Sequence, residues 1–356
     1  MLSPSSLAFL KRLLDSPAPS GFEETAARHW RREAATFAVN VTSDVAGNSM
    51  AEVNPDGSPT IMLDGHIDEI GLIVQYIDDD GFVYVSPIGG WDPQVLVAQR
   101  VRFLGREGDV MGVVGKKPIH LMKPDEREKV TKICDVWVDI GARDRKEAEA
   151  RLRVGDPGVI DSRTLDFPND RIVSRSIDDR IGAFVVLEAL RRYAENPGSA
   201  RVVATATTME EIAWHGGGAL ICTSCIGPQM AIVVDVTFAT DHPNIEKKEV
   251  GDHPMGGGPV ISRGGALSPV VFEILRSTAE QHEIPYALHA VGRDSSTNAE
   301  AVSIAKEGVA VGLLSIPNRY MHTPNEMVSL DDVDRTATLL AEACRSVKRD
   351  TDFIVR

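Results

Sequence analysis

The stretch TIMLDGHIDEIGLIVQYI, residues 60–77, joins two kinds of structure and therefore decides how the fold is organised. Residues 60–63 form a short apolar run of the kind found in buried strands, and the run ends at Asp64-Gly65-His66. After residue 70 the chain changes to short β-like runs such as 72–77 and 82–85, which flank the hairpin signal Asp79-Asp80-Gly81. The stretch therefore predicts that a β-rich segment is inserted directly after a strand of another domain.

The segments on both sides of this insertion alternate between helix and strand patterns. Before it, an amphipathic helix opens the chain, and the spacing of Ser20 and Glu23 predicts a second helix that begins at Gly21. After residue 170, residues 202–207 and 231–236 read as buried parallel strands between helical segments. We predict the α/β class, with one domain made of residues 1–70 plus 167–356. Residues 71–166 interrupt it as a small β-barrel or sandwich.

The composition excludes several classes of protein. The 356 residues carry 38 Lys+Arg against 52 Asp+Glu, a formal net charge of −14, and 43% of them are apolar. This globular, acidic composition argues against nucleic acid or an anionic membrane as the main partner. No apolar run approaches the roughly 18 residues of a membrane span, and the N-terminus lacks the features of a signal peptide. We therefore expect a cytoplasmic protein.

Polar side chains stand at the ends of the predicted strands, which is where sites collect in α/β sheets. The group consists of His66, Asp68, Asp178, Asp179, Glu210, Glu211, Asp235 and His322. Two imidazoles with several carboxylates suit Zn²⁺ or a similar divalent ion, and a carboxylate can span two ions. Each pair alone has an ordinary explanation, such as a helix N-cap for Asp178-Asp179. The occurrence of such groups at five strand ends in order is what favours a metal-dependent hydrolase.

Seven short strings give the chain a resemblance to a known family. They are APSGFEE (18–24), DVAGN (44–48), GHIDEIG (65–71), RSIDDRIG (175–182), TTMEEIA (207–213), VVDVT (233–237) and YMHTPNEMV (320–328). In this order they resemble the motifs of metallopeptidase family 42, the dinuclear aminopeptidases related to the tetrahedral and glutamyl aminopeptidases. The resemblance implies a three-layer α/β catalytic domain and an inserted dimerisation domain. It also implies a homo-oligomer, a dodecamer built from dimers around a cavity.

The resemblance assigns metal ligands residue by residue. His66 and Asp235 match ligands of a first metal, Glu211 and His322 match ligands of a second, and Asp178 matches the carboxylate that bridges both. The implied cofactors are thus two divalent ions per subunit, with Zn²⁺ expected and Co²⁺ or Mn²⁺ also suited to these donors.

Two further residues match the catalytic groups of the family. Glu210 matches the general base, and Asp68 matches the acid that orients His66. Two cations lower the pKa of a bridging water, and Glu210 then takes its proton as the water attacks the scissile carbonyl. The implied function is the removal of N-terminal residues from peptides with a free N-terminus.

Two stretches depart from the family pattern and leave the specificity open. Residues 213–216 read Ala-Trp-His-Gly where the family often has Gly-Leu-Arg-Gly, and residues 297–299 read Thr-Asn-Ala where the family typically has Thr-Asp-Ala. The resemblance places both stretches near the first side chain of the substrate. They motivate an alternative, a two-metal deacylase or amidase that acts on a small N-acyl or dipeptide-like metabolite. A non-catalytic shell or binding protein is the third hypothesis, and the complete set of site residues argues against it.

Overall fold

The computed structural model describes residues 1–212 and 216–356. Within these ranges the helices are α1 (Pro4–Asp15), α2 (Glu24–Ala34), α3 (Pro124–Arg127), α4 (Arg145–Glu149), α5 (Ile177–Glu195), α6 (Gly217–Ile226), α7 (Lys247–Val250), α8 (Pro269–Gln281), α9 (Ala299–Ser303) and α10 (Leu330–Ser346). The strands are β1 (Asn40–Ser43), β2 (Ser49–Val53), β3 (Thr60–His66), β4 (Gly71–Ile77), β5 (Val83–Ile88), β6 (Arg100–Gly105), β7 (Gly108–Gly115), β8 (Trp137–Asp139), β9 (Pro157–Ile160), β10 (Leu165–Phe167), β11 (Arg171–Ser174), β12 (Arg201–Thr207), β13 (Met230–Phe238), β14 (Val260–Gly264), β15 (Ala287–Val291), β16 (Ala310–Asn318) and β17 (Glu326–Ser329).

An eight-stranded sheet with the order β1-β2-β12-β3-β13-β16-β14-β15 forms the centre of the α/β part. Its four middle strands, β12, β3, β13 and β16, run parallel. The carboxyl ends of these strands therefore meet at one edge of the sheet. The buried parallel strands predicted at 202–207 and 231–236 are confirmed as parts of β12 and β13.

Helices cover both faces of this sheet. Ile61 and Leu63 of β3 pack into a core shared with α1, α2, α5, α8 and α10, whereas Met62 packs into a smaller core with α6 and α9. Successive residues of a strand point to opposite faces, so this alternation shows that β3 is buried on both sides. The result is the predicted three-layer α/β arrangement.

The β-rich segment closes into a barrel with the strand order β4-β5-β8-β7-β6-β9. It has its own core, in which Leu72, Val101, Phe103 and Val138 are fully buried. The barrel, rather than the sandwich, is thus the correct alternative, and the predicted fold class is confirmed. The domain boundaries at residues 71 and 166 stay a prediction.

The start of α2 differs from the expectation. The helix begins at Glu24 rather than at Gly21, because Ser20 and Glu23 make hydrogen bonds other than those of a capping box. The Ser20 amide donates to the Glu69 carbonyl oxygen, and the Glu23 carboxylate accepts the Gly21 amide at 2.7 Å instead of completing a capping box. The carboxylate of Glu23 also accepts a second backbone amide, that of Met209. In the described ranges, no helix combines the length and apolar character needed to cross a membrane.

Candidate active site

The seven side chains to which the family resemblance assigns a role lie together at the carboxyl ends of the central parallel strands. They are His66, Asp68, Asp178, Glu210, Glu211, Asp235 and His322. Thr207, the last residue of β12, pairs in register with His66, the last residue of β3. Asp235 lies in β13 two residues beyond Val233, whose partner on β3 is Asp64. The parallel register therefore brings the polar groups of three strands to the same level.

Asp178 lies between the two imidazoles at the start of α5. Its Oδ1 is 3.3 Å from Nε2 of His66, and its Oδ2 is 3.4 Å from Nε2 of His322. Asp178 is the second residue of α5, but its backbone is extended (φ −74°, ψ 111°) rather than helical. This conformation directs the carboxylate across the strand ends. One carboxylate thus offers one oxygen to each of two histidine-containing groups.

Two overlapping groups of side chains have ligand atoms within 4.8 Å of one another. The first is His66, Glu210 and Asp235, and the second is His66, Asp178 and Glu211. His322 joins the second group, because its Nε2 lies 3.4 Å from Oε1 of Glu211. The donors form one continuous cluster of imidazoles and carboxylates, the set that borderline divalent metals prefer.

Buried atoms without hydrogen bonds show that the cluster fits cations. Among the described residues, Oε1 of Glu211 and Oδ2 of Asp179 are buried and accept no hydrogen bond. Buried polar atoms are nearly always paired, so such acceptors need an explanation. A positive ion beside Glu211 would supply the missing partner, and the donor chemistry of the neighbouring residues agrees with it.

The cluster contains more buried carboxyl groups than imidazoles, so negative charge is in excess. Burial raises the pKa of Asp235 well above its usual range, and the neighbouring Asp178 adds to the effect. Burial also raises the pKa of Glu210 to about 7, with Glu211 adding to the rise and His66 opposing it. Burial lowers the pKa of His322, but Asp178 and Glu211 outweigh it and raise the value to about 11. Two imidazolium groups do not compensate this many buried carboxylates, so added cations would be favourable.

Buried carboxylates also hold the turn that carries Glu210 and Glu211. Asp68, which is fully buried, accepts the Glu210 amide at 3.2 Å and the Glu211 amide at 3.1 Å, and its Oδ1 is 3.4 Å from Nδ1 of His66. Glu23 accepts the preceding amide, that of Met209, at 3.1 Å. Three successive amides therefore donate to two buried carboxyl groups, which holds the backbone of the turn that carries both glutamates. Asp68 thus lies beside Nδ1 of His66, the position in which an acid could orient a metal-binding imidazole.

Two residues that contact the site, Glu326 and Gly90, were not predicted from the sequence. Oε2 of Glu326 accepts the Asp178 amide at 3.0 Å, and its Oε1 accepts the His322 amide at 2.8 Å. The carbonyl oxygen of Gly90, from the loop after β5, lies 2.8 Å from Nδ1 of His322. An Nδ1–H donated to that carbonyl leaves Nε2 of His322 with a free lone pair that faces Asp178 and Glu211. Glu326 lies inside the quoted string 320–328, which is the only sequence signal for it.

A buried cluster of one carboxylate and two guanidinium groups lies next to the site. The carboxylate of Glu69 accepts from Nη1 of Arg175 at 2.5 Å and from Nη2 of Arg180 at 2.6 Å, and all three side chains are at most 5% exposed. Glu69 also accepts the Ala18 amide at 3.0 Å. Arg180 donates further to backbone carbonyls of residues 13, 14 and 67. This cluster joins β3, α5 and the N-terminal segment at the level of the metal-binding candidates.

The cluster opens into a cleft of ≈ 390 Å³. Beyond the site residues, the lining is formed by Val236, Thr237, Phe238, Glu249, Val250, His289, Ser295, Ser296, Thr297 and Met321. Of the two stretches that depart from the family pattern, residues 213–215 lie outside the described residues. In the second stretch, residues 297–299, Thr297 lines the cleft, whereas Asn298 is 2% exposed and lies behind it. Whether this stretch contacts the first side chain of the substrate stays a prediction.

The comparisons with known proteins agree with this fold. The sequence profile described as M42 glutamyl aminopeptidase matches residues 47–339. The chain therefore belongs to the M42 glutamyl aminopeptidase family, and the resemblance found in the sequence is confirmed.

Individual relatives cover nearly the whole chain. The lysyl aminopeptidase of Pyrococcus furiosus is 34% identical over 355 residues, which is 97% of this chain and 98% of that protein. The TET aminopeptidase from the marine sediment archaeon Thaumarchaeota archaeon SCGC AB-539-E09 has a TM-score of 0.90 at 32% identity, with 96% of each chain covered. The Pyrococcus horikoshii TET1 peptidase, which can assemble into a tetrahedron or a large octahedral shell, has a TM-score of 0.84 at 26% identity. That comparison covers 96% of this chain and 100% of the TET1 chain.

Proposed function

We propose that this chain is an aminopeptidase that removes N-terminal residues from peptides with the help of two divalent cations. The observation that carries the proposal is the position of Asp178, whose two oxygens face two different imidazoles at 3.3 and 3.4 Å. Membership of the M42 glutamyl aminopeptidase family supports the peptidase activity. The name of the Pyrococcus furiosus relative, a lysyl aminopeptidase, supports it as well.

The residues present divide naturally between two cations. His66 and Asp235 would hold the first, Glu211 and His322 would hold the second, and Asp178 would bind both. When bound, the cations supply Lewis-acid polarisation of the scissile carbonyl and lower the pKa of water. The donor set suits Zn²⁺ first, and Co²⁺ or Mn²⁺ can replace it.

Glu210 is the proposed general base. Its carboxylate accepts a proton from the attacking water and then donates that proton to the amine nitrogen that leaves as the C–N bond breaks. Burial raises the pKa of Glu210 to about 7 in the absence of cations, which makes this carboxylate a stronger base than an exposed glutamate. Asp68 holds the amides of Glu210 and Glu211 and so keeps the base aimed at the cluster.

The charge of the cleft suits a free N-terminus. Among the described residues, no Lys or Arg lines it, whereas Glu249 adds a carboxylate to those of the cluster. A protonated α-amine is therefore attracted, and an acylated one gains nothing. The relatives named as aminopeptidases also favour this function over the deacylase alternative.

The assembly is part of the same proposal. The tetrahedron and octahedral shell of the TET1 relative support a closed homo-oligomer here, with the β-barrel of residues 71–166 as the dimerisation domain. A dodecamer built from dimers would admit peptides and exclude folded proteins. Twelve subunits and a cytoplasmic location stay predictions.

The test combines metal content with hydrolysis. Elemental analysis should give two ions per subunit, and a panel of aminoacyl-anilides should be cleaved before chelation and not after it. The N-acetylated form of the best substrate is the matched control, and it should resist. Cleavage of the acetylated form alone would favour the deacylase, and the absence of bound ions even after reconstitution would overturn the enzyme proposal.

A further inference from the structure

A second buried polar cluster lies beneath one wall of the cleft. Asp64 of β3 is fully buried, and its Oδ1 accepts hydrogen bonds from the hydroxyls of Thr205 at 2.6 Å and Thr207 at 3.0 Å. Its Oδ2 accepts from Nδ2 of Asn298 at 2.9 Å. The same amide nitrogen lies 3.1 Å from Oγ1 of Thr207. None of these four residues is used by the proposed chemistry.

Asn298 is the hydrogen-bond donor for one oxygen of a buried acid. Among the described residues Asp64 has no Lys or Arg partner, so its two oxygens rely on hydroxyl and amide donors. Because a carboxylate only accepts, the amide nitrogen of Asn298, rather than its oxygen, must face Asp64. An aspartate at position 298 would present a second acceptor to Oδ2 of Asp64. The two residues are therefore a matched acceptor and donor.

The segment directly before Asn298 forms the cleft wall of Ser295, Ser296 and Thr297. The wall is internally tied: the Ser295 amide and hydroxyl donate to the two oxygens of Glu300 at 2.7 and 2.8 Å. The Ala299 amide donates to Oγ1 of Thr297 at 3.1 Å. The wall thus behaves as one unit with the start of α9.

The side-chain contacts of Asn298 attach this unit to the strands that carry the catalytic groups. Asp64 lies two residues before His66 on β3, and Thr207 ends β12 just before the turn that carries Glu210. The pair Asn298–Asp64 therefore fixes the distance between the wall and the reacting groups. A cleft of fixed width loses less free energy in ordering its walls around a substrate.

We propose that Asn298 is a positioning residue that sets how tightly the first residue of the peptide is held, an inference that rests on the proposed aminopeptidase function. In this proposal the side-chain amide of Asn298 holds the wall in place through its hydrogen bond to Asp64. It contacts neither substrate nor metal. Loss of the contact should therefore raise KM and leave kcat nearly unchanged, the pattern of lost binding that is equal in the ground state and the transition state.

The test uses an isosteric change and its reciprocal. Asn298→Asp keeps the shape and removes the donor, so KM for the best aminoacyl-anilide should rise at least about fivefold, with kcat within about threefold of wild type. The double variant Asp64→Asn with Asn298→Asp restores one donor and one acceptor, and KM should return to within about twofold of wild type. Asn298→Ser shortens the side chain so that its donor no longer reaches Asp64, and it provides the same test if the aspartate variant does not fold. Asn196→Ala, a change at an exposed asparagine after α5, is the control.

Hydrogen exchange gives a readout that does not depend on activity. In the metal-free protein, amides of residues 294–300 should exchange faster in Asn298→Asp and at the wild-type rate in the double variant. An unchanged KM in Asn298→Asp, or a double variant no better than the single ones, would overturn the proposal. Loss of bound metal with kcat and kcat/KM reduced equally would also overturn it, since the residue would then support the metal site. If the wild type cleaves no substrate, the proposed function fails, and exchange alone decides whether Asn298 holds the wall.

Discussion

Replacement of Glu210 by Gln tests the proposed chemistry most directly. The change keeps the size of the side chain and removes its ability to take a proton. Glu210 is the carboxylate whose Oε2 lies 3.7 Å from Nε2 of His66, and its backbone amide stays bound to Asp68 whichever side chain is present. The glutamine should therefore occupy the same position, and the loss should be chemical rather than structural.

The expected loss follows from the role of a general base. Such a base contributes roughly 10²- to 10⁴-fold, which corresponds to about 3 to 5 kcal/mol of activation free energy. The decrease should fall on kcat, because the substrate side-chain contacts of the cleft are untouched. The acid limb of kcat/KM should also disappear. In wild type this limb lies at or below about pH 7, because the pKa of Glu210 is about 7 before cations are added and positive charge nearby lowers it.

The assay is steady-state hydrolysis of the best aminoacyl-anilide with metal content measured on the same sample. Glu246→Gln, the same atomic change at an exposed glutamate outside the cleft lining, is the control and should keep full activity. Two bound ions with activity reduced at least about 100-fold would support the role of Glu210. Unchanged activity would refute it, and loss of one ion would show that Glu210 is a metal ligand instead.

Three further changes test other parts of the structure. His322→Ala should remove one of two ions, and two ions at full occupancy by elemental analysis would exclude His322 as a ligand. Glu69→Gln leaves Arg175 and Arg180 buried without their anion, which should cost about 3 to 5 kcal/mol and lower Tm by at least about 5 °C; an unchanged melting curve would contradict this. Burial, and to a lesser extent Asp68, raises the pKa of Glu23 to about 7 in the folded protein. Above about pH 4.5 the folded protein therefore keeps a proton on Glu23 that the unfolded chain has released. Glu23→Gln should therefore gain stability relative to wild type as pH rises from 5 to 8, by at most about 3 kcal/mol, and a difference in Tm that is independent of pH would refute this.

The polar groups at the strand ends could be predicted because the signal is local. A short apolar run such as 60–63, followed at once by His66 and Asp68, gives both the strand and its functional end. The parallel order of the middle strands then brings such groups together without further information. The positions of His66, Asp68, Asp178, Glu210 and Glu211 follow from this rule, since each lies at or just after the end of a strand or at the start of a helix, whereas Asp235 lies inside β13.

The contacts that hold the site could not be predicted, because they join residues far apart in sequence. Glu326 binds the amide of Asp178, 148 residues away, and Asn298 binds Asp64, 234 residues away. The sequence places Asn298 beside Thr297 but does not tell which of the two faces the cleft, since a helix start can present either. The closing strand of the barrel, β9, was also missed, because its pairing with β4 and β6 is decided by the closure of the barrel rather than by its own short sequence.

The barrel takes part in the site as well as in the proposed assembly. Gly90 belongs to the loop after β5, and its carbonyl oxygen is the hydrogen-bond partner of Nδ1 of His322. This contact decides which nitrogen of the imidazole is left for a cation. A residue of the β-rich part, Gly90, therefore determines how His322, a proposed ligand in the α/β part, faces that cation. A Cβ at Gly90 would approach Nδ1 of His322 to 3.4 Å, which leaves little room for a larger residue there. Because the barrel loop and the ligand touch, any assembly contact that moved the barrel relative to the sheet would also move the acceptor of His322.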